Sequence, residues 1–179
     1  MGWLRVKDHV TDSGGAMHWY AVYTKPRHER RVNAHLSREG IPTFLPEMER
    51  LSRRKDRKKR VLYPIFPGYL FINTELSVDI RLKVIKTSGV VRILGCNGTP
   101  TAIPESQIEA IQKIVDMGKA IFPHTYLKKG QIVRVIGGPL NGIEGIFISE
   151  KGKGKLVISV DILHRSVSVA IEETDVDLI

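Results

Sequence analysis

Cysteine is nearly missing from this chain: Cys96 is the only one among 179 residues. A lone thiol cannot close an intramolecular disulfide, and it leaves no cysteine pair for a zinc site. Long apolar runs are missing as well. No segment approaches the roughly 20 apolar residues of a membrane span, and no signal-peptide core follows the charged first residues. A cytoplasmic protein with no membrane contact is the expectation. The signatures of catalysis are also lacking: no phosphate-cradling glycine loop, HExxH pattern, G-x-S-x-G elbow or paired-cysteine site occurs. His9, His18, His28, His35, His124 and His164 are scattered without a recognisable nucleophile partner. Neither an enzyme nor a cofactor or metal is expected.

Acidic residues almost vanish in one stretch. Arg50, Arg53, Arg54, Lys55, Arg57, Lys58, Lys59 and Arg60 are opposed only by Asp56. Aromatic residues are absent there too, so the run can hold phosphates by charge and counterion release, whereas reading of bases by stacking is not expected. The whole chain carries a net charge of +9. From Lys128 onward, basic and acidic residues balance. A polyanion partner would therefore meet the N-terminal part.

With 42% apolar residues, the chain has enough for a packed core, and its length suits one ordinary domain or two small ones. Residues 1–16 have no sustained periodicity and read as a flexible extension. Trp19–Thr24 has the aromatic and β-branched content of a strand. A helix is predicted from about Arg27 to Arg38, stopped by Gly40 and Pro42, with Arg27, Arg31 and Arg38 in one row and Val32 and Leu36 on an apolar side. Thr43–Met48 and Val61–Tyr63 read as strands on either side of the basic run, which becomes a hairpin tip or long loop. Pro64–Asn73 leads into a strongly apolar, central strand. Helical spacing returns over Ser77–Lys86, a strand over Val90–Leu94, and the clearest helix over Pro104–Gly118. Beyond a linker come only short strands, at 131–136, 143–149, 155–162 and 165–171. The fold class is thus α+β: an antiparallel sheet flanked by helices, followed by a small β-barrel. The expected boundaries are 17–118 for the first domain, 119–127 for the linker and 128–179 for the barrel.

Gly130-Gln131-Ile132-Val133-Arg134-Val135-Ile136-Gly137-Gly138-Pro139-Leu140-Asn141-Gly142-Ile143-Glu144-Gly145 is a strand, a glycine-punctuated reversal and the start of a second strand. It resembles the KOW motif, carried by Gly130, Val133, Val135, Gly138, Pro139, Gly142 and Gly145. Trp19–Tyr23, Phe66-Pro67-Gly68-Tyr69-Leu70-Phe71 and Thr87–Val91 are similar to segments of the NusG N-terminal domain. In this order the resemblance to the NusG family covers about residues 17–179.

The resemblance implies a monomeric transcription elongation factor. Its N-terminal domain would sit on the RNA polymerase clamp, and its KOW domain would recruit Rho or a ribosomal protein. It places Tyr23, Phe66, Pro67 and Tyr69 in the polymerase-binding patch, with Ile108 and Ile111 as neighbours; Leu70 and Phe71 read as core. It also implies that Lys25, Arg27, His28, Arg31 and His35 face the non-template DNA strand. Lys55, Arg57, Lys58 and Lys59 would attract upstream DNA or nascent RNA.

The Ile41–Pro46 stretch, the basic run before Tyr63–Tyr69 and the arginine row look closest to specialised antiterminators of long operons. The jaw contact that such a paralogue makes through His-Thr-Thr falls at about Ile80-Arg81-Leu82, which does not match. In that paralogue the C-terminal domain can refold as helices; the turn glycines and β-branched strands here favour a barrel. A general housekeeping factor remains open. So does a KOW-type ribosomal or other RNA-binding protein, although its KOW domain would need a strongly basic balance.

Overall fold

The computed structural model describes residues 16–51, 60–118, 122–124, 130–150 and 153–179. All but the last residue of the expected flexible extension and the basic residues Lys55, Arg57, Lys58 and Lys59 lie outside them, as does most of the expected linker.

The chain opens with β1 (His18–Thr24), α1 (Glu29–Arg38), β2 (Thr43–Phe44), β3 (Glu47–Leu51), β4 (Arg60–Pro64), β5 (Tyr69–Thr74), α2 (Val78–Lys86) and β6 (Val90–Ile93). A four-stranded sheet forms in the order β2-β5-β1-β6, so the apolar strand β5 is indeed interior. Alternation along a strand sends neighbouring residues to opposite faces. Val22, Leu70 and Ile72 thus join Val32, Leu36 and Val84 of the two helices, while Ala21 and Phe71 enter a second core with Phe66 and α3 (Glu105–Asp116). The helix α2 begins where the Ser77 hydroxyl accepts the Ile80 N–H at 3.3 Å, with Asp79 in the first turn.

Two expectations need correction. The continuous strand over Thr43–Met48 is broken at Leu45-Pro46: β2 joins the four-stranded sheet, whereas β3 pairs with β4 in a separate hairpin. Proline lacks the N–H that a continuing ladder requires and restricts the residue before it. The predicted helix from Arg27 starts only at Glu29, because Arg27 takes a left-handed conformation at φ 64° after Pro26. Arg27 therefore leaves the arginine row, which becomes Arg31, His35 and Arg38. A small hairpin of β7 (Gly95–Cys96) and β8 (Thr99–Pro100) also follows β6, in a stretch that carries no clear periodicity in the sequence.

The C-terminal sheet runs β14-β10-β11-β12-β13-β9. Its strands are β9 (Phe122–His124), β10 (Gln131–Val135), β11 (Glu144–Glu150), β12 (Lys153–Val160), β13 (Arg165–Ala170) and β14 (Val176–Leu178). Part of the expected linker is thus a strand, β9, paired with β13. The KOW turn takes its positive φ at Gly138 (69°) and Gly142 (83°), which L side chains resist. Val133 and Val135 point into the barrel core, and β10 and β11 pair directly across the turn.

Candidate interaction surfaces

Strands β1 and β5 are paired so that Tyr23 lies opposite Tyr69. The rings meet at 5.1 Å, and both are half-buried. Gly68, at φ 86°, builds the turn beside them. Its N–H donates to the buried Glu29 carboxylate at 2.8 Å, and its carbonyl accepts the Thr24 N–H at 2.8 Å. A Cβ on Gly68 would stand 3.2 Å from the Tyr23 ring, so glycine meets both the φ and the close approach. Pro67 is exposed at the tip of this turn. Glu29, the first residue of α1, ties the helix to the turn and gives the tyrosine pair a rigid base.

Phe66, Ile108 and Ile111 differ from these. All three are buried to within 1% and belong to the core between the sheet, α3 and the barrel. In this arrangement they support the surface from beneath and offer nothing to a partner, because the aromatic Phe66 packs edge-on against Phe71. Leu70 and Phe71 are core, as expected.

The barrel rests on the same region. The Gln107 side-chain N–H donates to Asp161 Oδ2 at 3.0 Å, and the Asp161 backbone N–H donates to Gln107 Oε1 at 3.3 Å. The Arg165 guanidinium lies 5.2 Å above the Tyr69 ring, and Arg92 lies 5.9 Å from Tyr23. A groove of about 940 Å³ remains between α3 and the barrel, with Lys113, Ile132 and His164 among its walls. A smaller cleft brings Pro139 of the KOW turn to Lys113 and Met117. Of the other KOW residues, Gly130 and Gly145 allow close strand approach to Ile146 and Val157.

The basic surface has two parts. Lys25 and Arg27 sit exposed in the turn before α1, and Arg31, His35 and Arg38 line the solvent face of the helix. His28 is set apart by its half-burial and a 3.0 Å contact from Nδ1 to the Pro26 carbonyl. Because a carbonyl only accepts, this nitrogen carries the proton, and the ring serves the turn. One residue escaped the sequence reading. Arg30 donates from Nε to Glu47 Oε1 and from a terminal nitrogen to the Leu62 carbonyl, each at 2.7 Å. It grips both strands of the β3–β4 hairpin and sets the base of the basic run against α1. No local signal separates Arg30 from Arg31; only the long-range partners do.

Among the described residues, no helix is long and apolar enough to cross a membrane. Residues 17–112 match the family model described as transcription termination factor NusG. The transcription termination/antitermination protein NusG of Helicobacter pylori is 27% identical over 174 residues, covering 91% of this chain and 99% of its own. That of Bacillus subtilis is 28% identical over 172 residues, covering 89% and 97%. Among solved structures, one of Thermotoga maritima NusG, described by its domain interaction, aligns with a TM-score of 0.55 at 18% identity, covering 91% of this chain and 97% of its own, a likeness of fold. The sheet flanked by helices, the KOW hairpin and these matches together make the chain a member of the NusG family of transcription termination/antitermination factors.

Proposed function

We propose that this protein is a cytoplasmic elongation factor that binds RNA polymerase through Tyr23, Pro67 and Tyr69 and acts as an operon-specific antiterminator. The observation that carries the polymerase assignment is the half-buried tyrosine pair on a turn locked by Glu29 and Thr24. Interface energy concentrates in a few rigid aromatic anchors, and a tyrosine has an apolar body with a polar tip suited to such a site. The contact of Arg165 with Tyr69 makes the barrel a cover for part of this patch, so polymerase would meet its full extent only after the barrel swings away. Ile108 and Ile111 would become available in that step.

In this reading, Lys25, Arg27, Arg31 and His35 face the extruded non-template strand. Arginine can fork onto phosphate or stack on an unpaired base. Lys55, Arg57, Lys58 and Lys59 add attraction without base reading. The freed barrel would engage Rho or a ribosomal protein. The N-terminal domain is assigned to 17–118, the linker to 119–127 and the KOW domain to 128–179. The charge-balanced barrel weighs against a ribosomal role, since a KOW domain holding ribosomal RNA would need a basic surface.

The test is polymerase binding by a folded Tyr23→Ala/Tyr69→Ala variant. Truncated hot-spot aromatics cost about 2 kcal/mol or more each, so affinity should fall at least ~30-fold. Unchanged affinity removes the assignment. Single-round transcription on scrambled non-template strands then separates the specialised from the general role. Arg27→Ala/Arg31→Ala/His35→Ala should abolish pausing at one element only, and equal loss on every template would favour a general factor.

A further inference from the structure

The helix α2 has two apolar sides. Val84 and Ile80 face the core with α1 and the sheet. On the opposite side, Val78, Leu82 and Ile85 follow at i, i+4 and i+7, which places them within about 60° of one another on the helix surface. They are 75%, 47% and 41% exposed. The other two helices show no such stripe: α1 presents Arg31, His35 and Arg38 to solvent, and α3 presents Glu105, Glu109 and Asp116. This alternation of four and three residues is the spacing of a coiled-coil seam, and an apolar stripe with a charged rim marks a protein contact.

The charges along the rim identify the partner. Two of the cations are engaged within the chain: Lys83 meets Glu39 at 2.8 Å, and a terminal nitrogen of Arg81 donates to the Gly98 carbonyl at 3.0 Å. Asp79 and Lys86 are exposed and make no ion pair among the described residues. Seven residues apart, they share one flank of the seam, the acid in the first turn of α2 and the cation at its end. A second copy laid antiparallel presents the same flank in reverse. About a two-fold axis at Leu82, Asp79 of one protomer and its partner's Lys86 come to within about 3 Å of the same level along the helix, and the symmetry repeats the contact. Leu82 then meets its own counterpart, and Val78 meets the partner's Ile85. A foreign segment of one charge sign would match one of the two groups and repel the other, whereas the reversed copy matches both.

We propose that two copies of this chain pair antiparallel through α2, with Val78, Leu82 and Ile85 as the seam and Asp79 and Lys86 as reciprocal ion pairs. The helix packs on the face of the sheet opposite Tyr23 and Tyr69, so the pairing leaves the tyrosine patch open. The seam is short and the net charge of +9 opposes association, so the dimer is a weak equilibrium. The monomer that the family resemblance implies is its partner species at low concentration.

Sedimentation equilibrium of the full-length protein should show self-association with half-dimerisation at about 0.1–1 mM. Leu82→Glu, at an exposed position, should leave far-ultraviolet circular dichroism unchanged and weaken association at least ~10-fold. Asp79→Lys sets cation against cation on each flank, and Lys86→Asp sets acid against acid; each alone should weaken association to a similar degree. Asp79→Lys/Lys86→Asp exchanges the two signs and should restore it. Both exchanges oppose the helix dipole, so damage to α2 alone would make the double variant the worst of the three. A single monomeric species up to about 1 mM, association that survives Leu82→Glu, or a double variant without rescue each overturns the proposal. If the free protein stays monomeric while Leu82→Glu weakens polymerase binding, the stripe belongs to polymerase instead.

Discussion

The two sheets of this molecule are put together in opposite ways. In the C-terminal sheet, β10, β11, β12 and β13 pair in chain order, each strand beside the next. In the N-terminal sheet, the order β2-β5-β1-β6 contains no pair of consecutive strands. The first is a run of local hairpins, in which β10 and β11 reverse through glycine and proline and β12 and β13 through a short turn at Asp161–Leu163. The second is assembled by contacts such as Tyr23 against Tyr69 and Glu29 against Gly68, separated by about forty residues. The candidate recognition surfaces lie mainly on the second. Long-range assembly brings together side chains that no sequence neighbourhood holds, so a composite site arises there more readily than in a meander.

If the two regions are separable units in contact, damage inside the barrel should remain there. Leu156 is fully buried in β12. Leu156→Ala should destabilise the barrel by about 2–5 kcal/mol through lost burial and a cavity. Amide exchange should rise across β10–β13 while polymerase binding by the N-terminal sheet persists. Loss of binding together with loss of the barrel would show that the regions form one cooperative unit.

A smaller effect is expected on the other side. Glu29→Ala removes the acceptor of the Gly68 N–H and leaves a buried donor unpaired, at a cost of about 1–3 kcal/mol. The Tyr23–Tyr69 pair should loosen and polymerase affinity should drop, with Glu29→Gln restoring most of it through the amide oxygen. Thermal unfolding and affinity measured on both variants check this, and equal loss in the glutamine variant would mean that charge, not acceptance, matters.

The contact between the regions should be weaker still. Arg165→Ala removes the guanidinium above Tyr69, an interaction of about 0.5–1 kcal/mol at a partly exposed site. It should raise polymerase affinity slightly, in the opposite direction to Tyr69→Ala, and shift the amide resonances of both β5 and β13. A decrease in affinity would instead make Arg165 part of the binding surface.

The smallest expected effect involves Glu39, which follows α1, and Lys83 of α2, 2.8 Å apart on the surface. The hydrogen bond and charge of Lys83 lower the Glu39 pKa from its ordinary 4.5. A depressed carboxylate pKa adds stability above the ordinary value and loses it as the pH falls through the folded one. Lys83→Ala should therefore melt slightly below the parent near neutrality, and the difference should close below about pH 4.5. Solvent and salt screen this exposed pair, so a salt series should shrink the gap as well.

Much of the architecture was legible from sequence for a local reason. β-Branched runs, helical spacing in Ile108, Ile111 and Ile114, and the turn glycines each act within a few residues. The tyrosine pair was legible through family resemblance, and its half-burial suits the expected role. Phe66, Ile108 and Ile111 could not be sorted from it in the same way, since an apolar residue looks alike in sequence whether it faces core or partner. Arg27 and Arg31 likewise look equivalent until Pro26 and the positive φ of Arg27 take one of them out of the helix.

By itself, the sequence determined the α+β class, the KOW hairpin, the three helices and the concentration of positive charge in the N-terminal part. Each follows from composition, periodicity or backbone preference over short distances. Tertiary structure alone decided that β2 and β3 pair with different partners, that β9 joins the barrel, that Arg30 grips the hairpin and that Gln107 and Asp161 hold the barrel to α3. Those outcomes depend on which distant groups meet once both cores are packed, and hydrogen-bond donors and acceptors far apart in the chain carry no mark of their partners.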